Sequence, residues 1–396
     1  MIYLPRNLEK NITDILASGK SILLLGPRQT GKTTLINQIF ADKRINLANP
    51  YDRLRYEKNP AILTAEIEAI AEKNQNQRPI IIIDEIQKIP ILMDAVQDLI
   101  DRTIAKFLLT GSSARQLKKR GSTNLLPGRV IPLRLDPLIQ NEQKSLNLVL
   151  NNLLMYGSLP EIVLLENIND RERLLDAYTS IYLEEEVRAE AIVRNLGDFA
   201  RFLELAASES GKIVNFSKLS QEIGVSHSTI ASYYQILEDC LVIERIEPIT
   251  ASKTRKKLSK TQKYILYDLG VRRIAAHEGN LLAKDQMGHL FEQYVGLELI
   301  RMLRLKSCRS NLKYWRDPSG PEVDWVVDHN NFYIPIEVKL TDAPQKSDAK
   351  YLQIFLEEYK EHTSKGFIIC QTPHIMKIAA NIYALPWANL ANIFDV

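Results

Sequence analysis

Hydrophobic residues in the first 135 positions occur in short runs that alternate with helical segments. The clearest run is 79–83, a proline followed by four isoleucines, which is typical of a strand buried on both faces. Similar runs predict strands at 21–25, 44–47, 106–109 and 130–135, and the segments 32–40 and 92–104 are predicted to be helices. Strands that alternate with helices predict an α/β domain built on a parallel sheet.

The pattern changes three times after residue 135. Residues 136–210 have apolar positions at helical spacing, and 216–246 predict two short helices followed by a strand. Residues 251–263 carry six Lys or Arg and no acid, which predicts an exposed linker or wing. Residues 264–396 return to an α/β pattern, with a helix at 286–303 and strands near 312–315, 323–327, 332–339 and 366–370. We therefore expect four parts, with bounds 1–135, 136–210, 211–263 and 264–396.

Composition narrows the class of protein. A chain of 396 residues predicts two to four domains, and 45% hydrophobic with 25% charged residues is typical of a soluble globular protein. No segment approaches the 18 apolar residues that a membrane span requires, and the N-terminus lacks the features of a signal peptide. Three scattered cysteines favour a reducing, cytoplasmic location. Because the net charge is only +3, nucleic-acid affinity would have to come from local patches.

A phosphate-binding motif lies between the first predicted strand and the first predicted helix. The sequence GPRQTGKT at 26–33 fits GxxxxGK[ST], whose backbone amides surround phosphate groups. We expect Lys32 to contact the β- and γ-phosphates and the Thr33 hydroxyl to ligate Mg²⁺. The predicted nucleotide-binding residues are Gly26, Pro27, Arg28, Gln29, Thr30, Gly31, Lys32, Thr33 and Thr34.

Polar side chains at the ends of later strands complete the predicted site. Asp84 and Glu85 end the isoleucine-rich strand, which suits Asp84 to the Mg²⁺ shell and Glu85 to orienting or deprotonating the attacking water. Thr110 and Ser112 follow the next strand and are candidate γ-phosphate sensors, with a plain helix cap as the alternative. Arg129 is a candidate arginine finger, acting on its own or a neighbouring subunit's nucleotide, with a surface arginine as the alternative.

These motifs together resemble the AAA-like prokaryotic P-loop ATPases. The resemblance is carried by the phosphate loop, by the segment DEIQKIP at 84–90, by TGSS at 110–113 and by Gly128-Arg129, and it extends over nearly the whole chain. It implies an AAA-type ATPase core, a winged-helix segment and a C-terminal domain related to PD-(D/E)XK nucleases. It also implies an oligomer by analogy of fold.

The predicted helix pair in the middle of the chain has the form of a helix-turn-helix. Gly224 supplies the turn, Ser226 caps the second helix, and the apolar positions Ile230, Tyr233 and Leu237 form its packing face. The opposite face contains no Lys or Arg; its residues are His227, Ser228, Thr229, Ser232 and Gln235. This composition favours packing or protein contact over sequence-specific DNA reading. Non-specific contact with DNA, assisted by the basic segment 253–263, stays open.

The last part of the chain contains a set of residues typical of metal-dependent nucleases. Asp324 is followed by Glu337 and Lys339 in the order Asp…Glu-x-Lys, on two predicted strands joined by a polar turn. Carboxylates in this order hold Mg²⁺, which activates water for phosphodiester cleavage. Glu292 on the preceding helix matches the additional acid of such domains. A salt-bridge cluster in a domain without nuclease activity is the alternative interpretation.

The sequence therefore predicts an α/β protein with a P-loop ATPase domain, a helical and winged-helix middle and a restriction-endonuclease-like C-terminal domain. The predicted function is ATP binding and Mg²⁺-dependent ATP hydrolysis, coupled to the other modules. Two alternatives remain, an ATP-gated metal-dependent DNA nuclease and a nucleotide-controlled switch that binds DNA or protein with little turnover. The expected ligands are ATP and Mg²⁺, and the expected partners are DNA and further copies of the chain.

Overall fold

The computed structural model of the chain places two sheets around a helical middle. It describes residues 3–74, 77–112, 126–146, 149–183, 196–250, 261–280, 283–306, 310–317 and 320–394. Most of the basic segment 253–263, and Ser113 of the TGSS motif, lie outside these residues. In the parts of the chain that are described, no helix is long and apolar enough to cross a membrane.

The first sheet has five parallel strands, as predicted. In chain order they are β1 Ser21–Leu25, β2 Lys43–Asn46, β3 Ile80–Asp84, β4 Lys106–Gly111 and β5 Val130–Arg134, and their spatial order is β2-β3-β4-β1-β5. Every pairing in this sheet is parallel. The carboxyl ends of β1, β3 and β4 therefore meet at one edge, where ligands of such sheets bind.

Helices cover both faces of this sheet. They are α1 Leu8–Ala17, α2 Lys32–Ile36, α3 Pro50–Lys58, α4 Ala61–Lys73 and α5 Leu92–Asp101. One apolar cluster joins α4 and α5 to alternate residues of the strands, such as Ile81 and Ile83, and a second joins α1 and α2 to Ile82 and Leu108. Burial on both faces explains why the inner strands β1, β3 and β4 are mainly apolar, whereas the outer strand β2 is mostly polar.

The first helix after the phosphate loop is shorter than predicted. The 32–40 prediction was wrong beyond Ile36, where α2 ends and i→i+3 bonds continue, from Gln38 N to Leu35 O and from Ile39 N to Ile36 O. The guanidinium of Arg44, on β2, donates to the carbonyls of Ile36 and Ile39. This contact satisfies carbonyls at the helix end from the strand that follows it in the chain.

The middle of the chain is helical. Its helices are α6 Leu150–Tyr156, α7 Pro160–Leu164, α8 Ile168–Ala177, α9 Leu196–Ser208, α10 Phe216–Ile223 and α11 His227–Asp239. Gly224 (φ 82°) separates α10 from α11, and the Ser226 hydroxyl accepts a hydrogen bond from Thr229 N at 3.1 Å. The expected packing face of α11 is buried, with Ile230 and Leu237 fully enclosed.

The second sheet has eight strands of mixed direction. They are β6 Ile243–Pro248, β7 Lys263–Leu266, β8 Ser310–Arg316, β9 Glu322–His329, β10 Phe332–Val338, β11 Gly366–Cys370, β12 Met376–Ala379 and β13 Ile382–Pro386, in the order β12-β13-β11-β10-β9-β8-β6-β7. Strands β8, β9 and β10 form an antiparallel meander, and β10 pairs with β11 in parallel. Three helices accompany these strands: α12 Leu269–Ala275, α13 Lys284–Leu305 and α14 Lys350–Glu358.

The β6–β7 hairpin joins the middle of the chain to the C-terminal sheet. Strand β6 pairs with β7 on one side and with β8 on the other, where Glu247 aligns with Lys313. The expected boundary between residues 263 and 264 therefore falls inside β7. The sequence pattern could not show this arrangement, because the pairing of β6 with β8 is set by contacts between residues more than 60 positions apart.

Candidate functional site

The phosphate loop lies at the carboxyl edge of the parallel sheet, between β1 and α2. Gln29 (φ 60°) and Gly31 (φ 90°) adopt left-handed backbone conformations, which turn the chain sharply before the helix. A Cβ on Gly26 would lie 2.4 Å from the carbonyl oxygen of Leu135. The motif therefore needs glycine at Gly26 for close approach to the chain after β5, and at Gly31 for its backbone conformation.

Lys32 points back into this loop. Its ammonium donates to the carbonyls of Gly26 at 2.7 Å and Pro27 at 2.8 Å, and the side chain is buried. Thr30 is also buried and donates to Pro27 O at 2.9 Å. The loop is thus held closed around the lysine, which places a positive charge where a polyphosphate would lie.

The other predicted loop residues differ in their exposure to solvent. Pro27 is buried, Arg28 and Gln29 are partly exposed, and Thr33 and Thr34 are exposed at the start of α2. The guanidinium of Arg6, which precedes α1, donates to Thr30 O at 2.7 Å. The sequence pattern gave no reason to assign Arg6 to this site, since its partners lie far along the chain.

Two motifs that are 51 positions apart meet directly at Thr33 and Asp84. The Thr33 hydroxyl donates to Asp84 Oδ2 at 2.8 Å. The Thr110 hydroxyl donates to the other oxygen, Asp84 Oδ1, and accepts a hydrogen bond from Glu85 N at 3.0 Å. Thr110 is fully buried, so it acts through Asp84 and Glu85 in this arrangement.

Glu85 occupies a strained position directly after β3. Its backbone is left-handed (φ 61°, ψ 44°), a conformation that costs free energy for a residue with a Cβ and that clusters at functional sites. Gln87 holds its carboxylate by donating from Nε2 to Glu85 Oε2 at 2.6 Å, and the same nitrogen lies 3.2 Å from Ser112 Oγ. Gln87 was missed at the sequence level, although its place two residues after the acidic pair was visible.

The residues at this edge fit a nucleotide with Mg²⁺. The Thr33 hydroxyl and the Asp84 carboxylate are oxygen ligands of the kind that Mg²⁺ prefers, and they already touch each other. Lys32 supplies the charge for phosphate oxygens. Asp84 is buried at the end of a strand whose neighbours are fixed by pairing, so the donor set is rigid.

Arg129 lies at the amino end of the parallel strands, opposite the end that carries the phosphate loop. It precedes β5, whose first residue Val130 is aligned with Ser21, so about five residues of strand, roughly 16 Å, separate it from the loop. Its guanidinium forms a paired contact with Asp101, at 2.6 Å and 2.9 Å. In this arrangement the Arg129 guanidinium contacts Asp101 and not the phosphate loop of its own chain. A role toward its own or a neighbouring subunit's nucleotide stays a prediction.

The four predicted nuclease residues come together in the C-terminal sheet. Asp324 on β9 accepts a hydrogen bond from Val338 N at 2.8 Å, and Lys339 lies 3.1 Å from Glu337 Oε2. Burial, and next the neighbouring Asp324, raise the pKa of the Glu337 carboxyl well above its ordinary value. Burial also raises the pKa of Glu292, on α13, to about 7, and Asp324 adds to that effect.

A lysine that sequence reasoning placed elsewhere enters this cluster. Lys263 was expected in the exposed basic segment, but its side chain is 3% exposed and its Nζ lies 3.0 Å from Glu322 and 3.4 Å from Glu292. That expectation was wrong for Lys263, because β7 carries it into the sheet. Among the described residues, no group of three or more His, Cys, Asp or Glu is arranged to hold a metal ion.

Comparisons with family models divide the chain into three regions. Residues 18–144 match an AAA domain, 148–281 match a domain of unknown function (DUF8612), and 287–390 match a domain of unknown function (DUF4143). The AAA match and the five-stranded parallel sheet together support an AAA-like ATPase fold for the N-terminal region.

Similar proteins extend over most of the chain. An uncharacterized protein of Mycobacterium tuberculosis is 26% identical over 331 residues, which cover 82% of this chain and 71% of that protein. An uncharacterized protein of Methanocaldococcus jannaschii is 26% identical over 409 residues, which cover 92% of this chain and 83% of that protein.

Solved structures give weaker similarities. The Orc1 protein of Aeropyrum pernix in complex with DNA is 12% identical with a TM-score of 0.27, covering 70% of this chain and 93% of that one. Cdc6p of Pyrobaculum aerophilum is 12% identical with a TM-score of 0.29, covering 69% and 94%.

Proposed function

We propose that the N-terminal domain binds ATP with Mg²⁺ and hydrolyses it. The observation that carries this proposal is the 2.8 Å hydrogen bond between Thr33 Oγ1 and Asp84 Oδ2, because it joins the phosphate loop to the acidic pair. Lys32 precedes Thr33 and is buried in the phosphate loop, and Glu85 follows Asp84 and is bonded through its backbone N to Thr110. These four residues are the set that a P-loop nucleotide hydrolase requires.

Each of these residues has a separate task in the proposed reaction. Lys32 exchanges its contacts with the loop carbonyls for phosphate oxygens and stabilises the charge that develops on the transferred phosphoryl group. Thr33 and Asp84 would hold Mg²⁺, which supplies further charge neutralisation on the phosphates. Glu85, oriented by Gln87, accepts a proton from or orients the attacking water.

Hydrogen bonds and an ion pair connect the phosphate loop to the C-terminal part of the chain. Arg6 donates to Thr30 O in the loop, to Asp136 O at 2.7 Å and to Glu142 Oε2 at 3.0 Å. The side chain of Asp136 forms an ion pair with Arg304 of α13 at 2.9 Å. This chain of contacts supports the proposal that the nucleotide state biases the position of the C-terminal part.

The same cluster includes the β6–β7 hairpin. Glu244 of β6 pairs with Arg304 and also with Arg134 at the end of β5. Arg134 in turn lies 2.8 Å from Asp136. A shift of Asp136 would therefore act on β6 and α13 together, and this is the coupling that we propose.

The identities of the coupled modules are part of the proposal. The α10–turn–α11 pair followed by the β6–β7 hairpin supports a winged-helix segment, with DNA or protein as its partner. Helix α13, the β8–β9–β10 meander, α14 and β11 support a PD-(D/E)XK-like domain. An oligomer, in which Arg129 faces a neighbouring nucleotide site, belongs to the same proposal.

ATP binding and hydrolysis by Lys32→Ala, wild type and the control Lys73→Ala test the proposal. Lys73 lies exposed at the end of α4, so its variant loses one positive charge away from the loop. We expect Lys32→Ala to lose hydrolysis by about a hundredfold or more, since a group that stabilises transition-state charge is removed, while Lys73→Ala behaves as wild type. Hydrolysis at the wild-type rate in Lys32→Ala would exclude the proposed site.

A further inference from the structure

The guanidinium of Arg6 contacts the phosphate loop, although Arg6 lies outside the loop motif. Arg6 precedes α1, and its Nη1 donates to Thr30 O at 2.7 Å. The same nitrogen lies 3.8 Å from the position that a Cβ on Gly31 would occupy. Arg6 is 8% exposed, so its side chain reaches the loop from within the protein and not from solvent.

This contact fixes the orientation of the peptide group between Thr30 and Gly31. The peptide bond is trans and planar, so its N–H points away from its C=O. A Thr30 carbonyl that faces Arg6 therefore turns Gly31 N–H to the opposite side. Gly31 is the N-cap of α2, and the first N–H groups of a helix have no partner within the helix. Such amides are the groups that a phosphate loop offers to phosphate oxygens.

Other hydrogen bonds of the loop close it on itself. Thr30 Oγ1 donates to Pro27 O at 2.9 Å, and the Lys32 ammonium donates to the carbonyls of Gly26 and Pro27. These bonds do not involve the Thr30 carbonyl. The bond from Arg6 does, and it ties the loop to a part of the chain that lies 24 residues before Thr30.

Arg6 is itself held by the segment that follows β5. Its Nη2 donates to Asp136 O at 2.7 Å, and its Nε donates to Glu142 Oε2 at 3.0 Å. Glu142 is buried, and its carboxylate also accepts from Asn7 N at 2.8 Å and from Ile139 N at 3.2 Å. Because a guanidinium is planar and presents its donors in a fixed geometry, bonds in three directions leave Arg6 little freedom.

We propose that Arg6 is a positioning residue of the nucleotide site. It keeps the Thr30–Gly31 peptide in the orientation in which Gly31 N–H faces the phosphates, and Glu142 holds Arg6 in place. This role rests on the proposed function, since it requires a nucleotide in the phosphate loop. Arg6 acts through the loop, because its donors are directed at two carbonyl oxygens and at Glu142.

Equilibrium binding of a non-hydrolysable ATP analogue to wild type, Arg6→Ala and the control Arg173→Ala tests this role. We expect Arg6→Ala to bind the analogue about ten- to a hundredfold more weakly, since a charged donor no longer orients the loop peptide. In hydrolysis, KM for ATP is expected to rise by more than kcat falls, because the groups that act on the transferred phosphoryl group are retained. Arg173 is exposed on α8, so its variant loses the same charge elsewhere and is expected to match wild type.

Glu142→Gln separates positioning from a simple change of charge. Removal of a negative charge near the loop would by itself strengthen the binding of an anionic ligand. We expect the opposite, binding that is weaker by about two- to tenfold, because Arg6 loses its charged acceptor. The double variant Arg6→Ala/Glu142→Gln is expected to bind no more weakly than Arg6→Ala, since Glu142 acts through Arg6.

Melting temperatures are measured for the same preparations. Wild-type affinity in Arg6→Ala and Glu142→Gln would overturn the proposal, even if both variants melt at a lower temperature than wild type. Glu142→Gln keeps Arg6 and the size of the side chain, so it provides the test if Arg6→Ala does not fold.

Lys32→Ala in the same series separates this role from the proposed function. Where wild type binds the analogue and Lys32→Ala binds it more weakly, wild-type affinity in Arg6→Ala overturns only the role of Arg6. Absence of binding by wild type would contradict the proposed function itself and the role of Arg6 with it.

Discussion

At the scale of single residues, the sequence motifs identified the main residues of the candidate nucleotide site. They did not identify the side chains that form hydrogen bonds with this site. Lys32 was identified by the GxxxxGK[ST] motif, and Asp84 and Glu85 by their place at the end of an isoleucine-rich strand. The motifs did not show that Gln87 donates to the Glu85 carboxylate or that Arg6 donates to the loop carbonyl of Thr30, because these contacts depend on where the folded chain places the two side chains. Thr110 is an intermediate case. The sequence pattern predicted a γ-phosphate sensor at this position, and in the structure its hydroxyl is hydrogen-bonded to Asp84 and to Glu85 N.

Replacement of Thr110 by valine tests this arrangement. The variant keeps the shape but leaves Glu85 N without its acceptor and Asp84 Oδ1 without its donor, at a cost of about 1–3 kcal/mol. We expect ATP hydrolysis to fall roughly ten- to a hundredfold, while ATP binding persists. Thr110→Ser retains the hydroxyl and is the control. Wild-type hydrolysis by Thr110→Val would show that Thr110 does not position the acidic pair.

At the scale of elements, the sequence pattern predicted the five strands of the first sheet and strands β8 to β11 of the second, but of the helices beside these sheets only α2, α5 and α13. It succeeded where burial alone determines the element, as in β3 and β11, whose apolar runs are enclosed on both faces. It was wrong at the end of α2, where the Arg44 side chain contacts the carbonyl of Ile36. It also placed Lys263, the first residue of β7, in an exposed linker or wing, because a run of lysines does not show which one is buried against acids from another element.

At the scale of the whole molecule, buried ion pairs join the nucleotide domain to the rest. Burial by itself raises the pKa of Asp136, but the guanidiniums of Arg304, Arg134 and Arg301 outweigh it and lower this pKa to about 2. A carboxyl whose pKa is lowered in the folded state stabilises that state above its unfolded pKa, and the contribution is lost as pH falls through the folded value. For Asp136 the window runs from about 4 down to about 2.

Urea unfolding of wild type and Asp136→Asn at several pH values tests this ion-pair cluster. Tryptophan fluorescence is a suitable probe, since all three tryptophans lie in the C-terminal part. Asp136→Asn is expected to be less stable than wild type by about 2 kcal/mol at pH 7, with the difference shrinking below about pH 4. Asp14→Asn, at an exposed position of α1, is the control. A difference that does not depend on pH would contradict the proposed charge coupling.

In the proposed reaction, Glu85 activates water at a nucleotide held by the phosphate loop. The variant Glu85→Gln is a direct test of this role. The amide keeps the shape of the side chain and removes its basicity. Mg²⁺-dependent ATP hydrolysis and equilibrium ATP binding are measured on the same preparations of wild type and variant. We expect Glu85→Gln to bind ATP with wild-type affinity and to hydrolyse it about 10²–10⁴-fold more slowly. No hydrolysis by wild type, or equal rates in the two proteins, would contradict it.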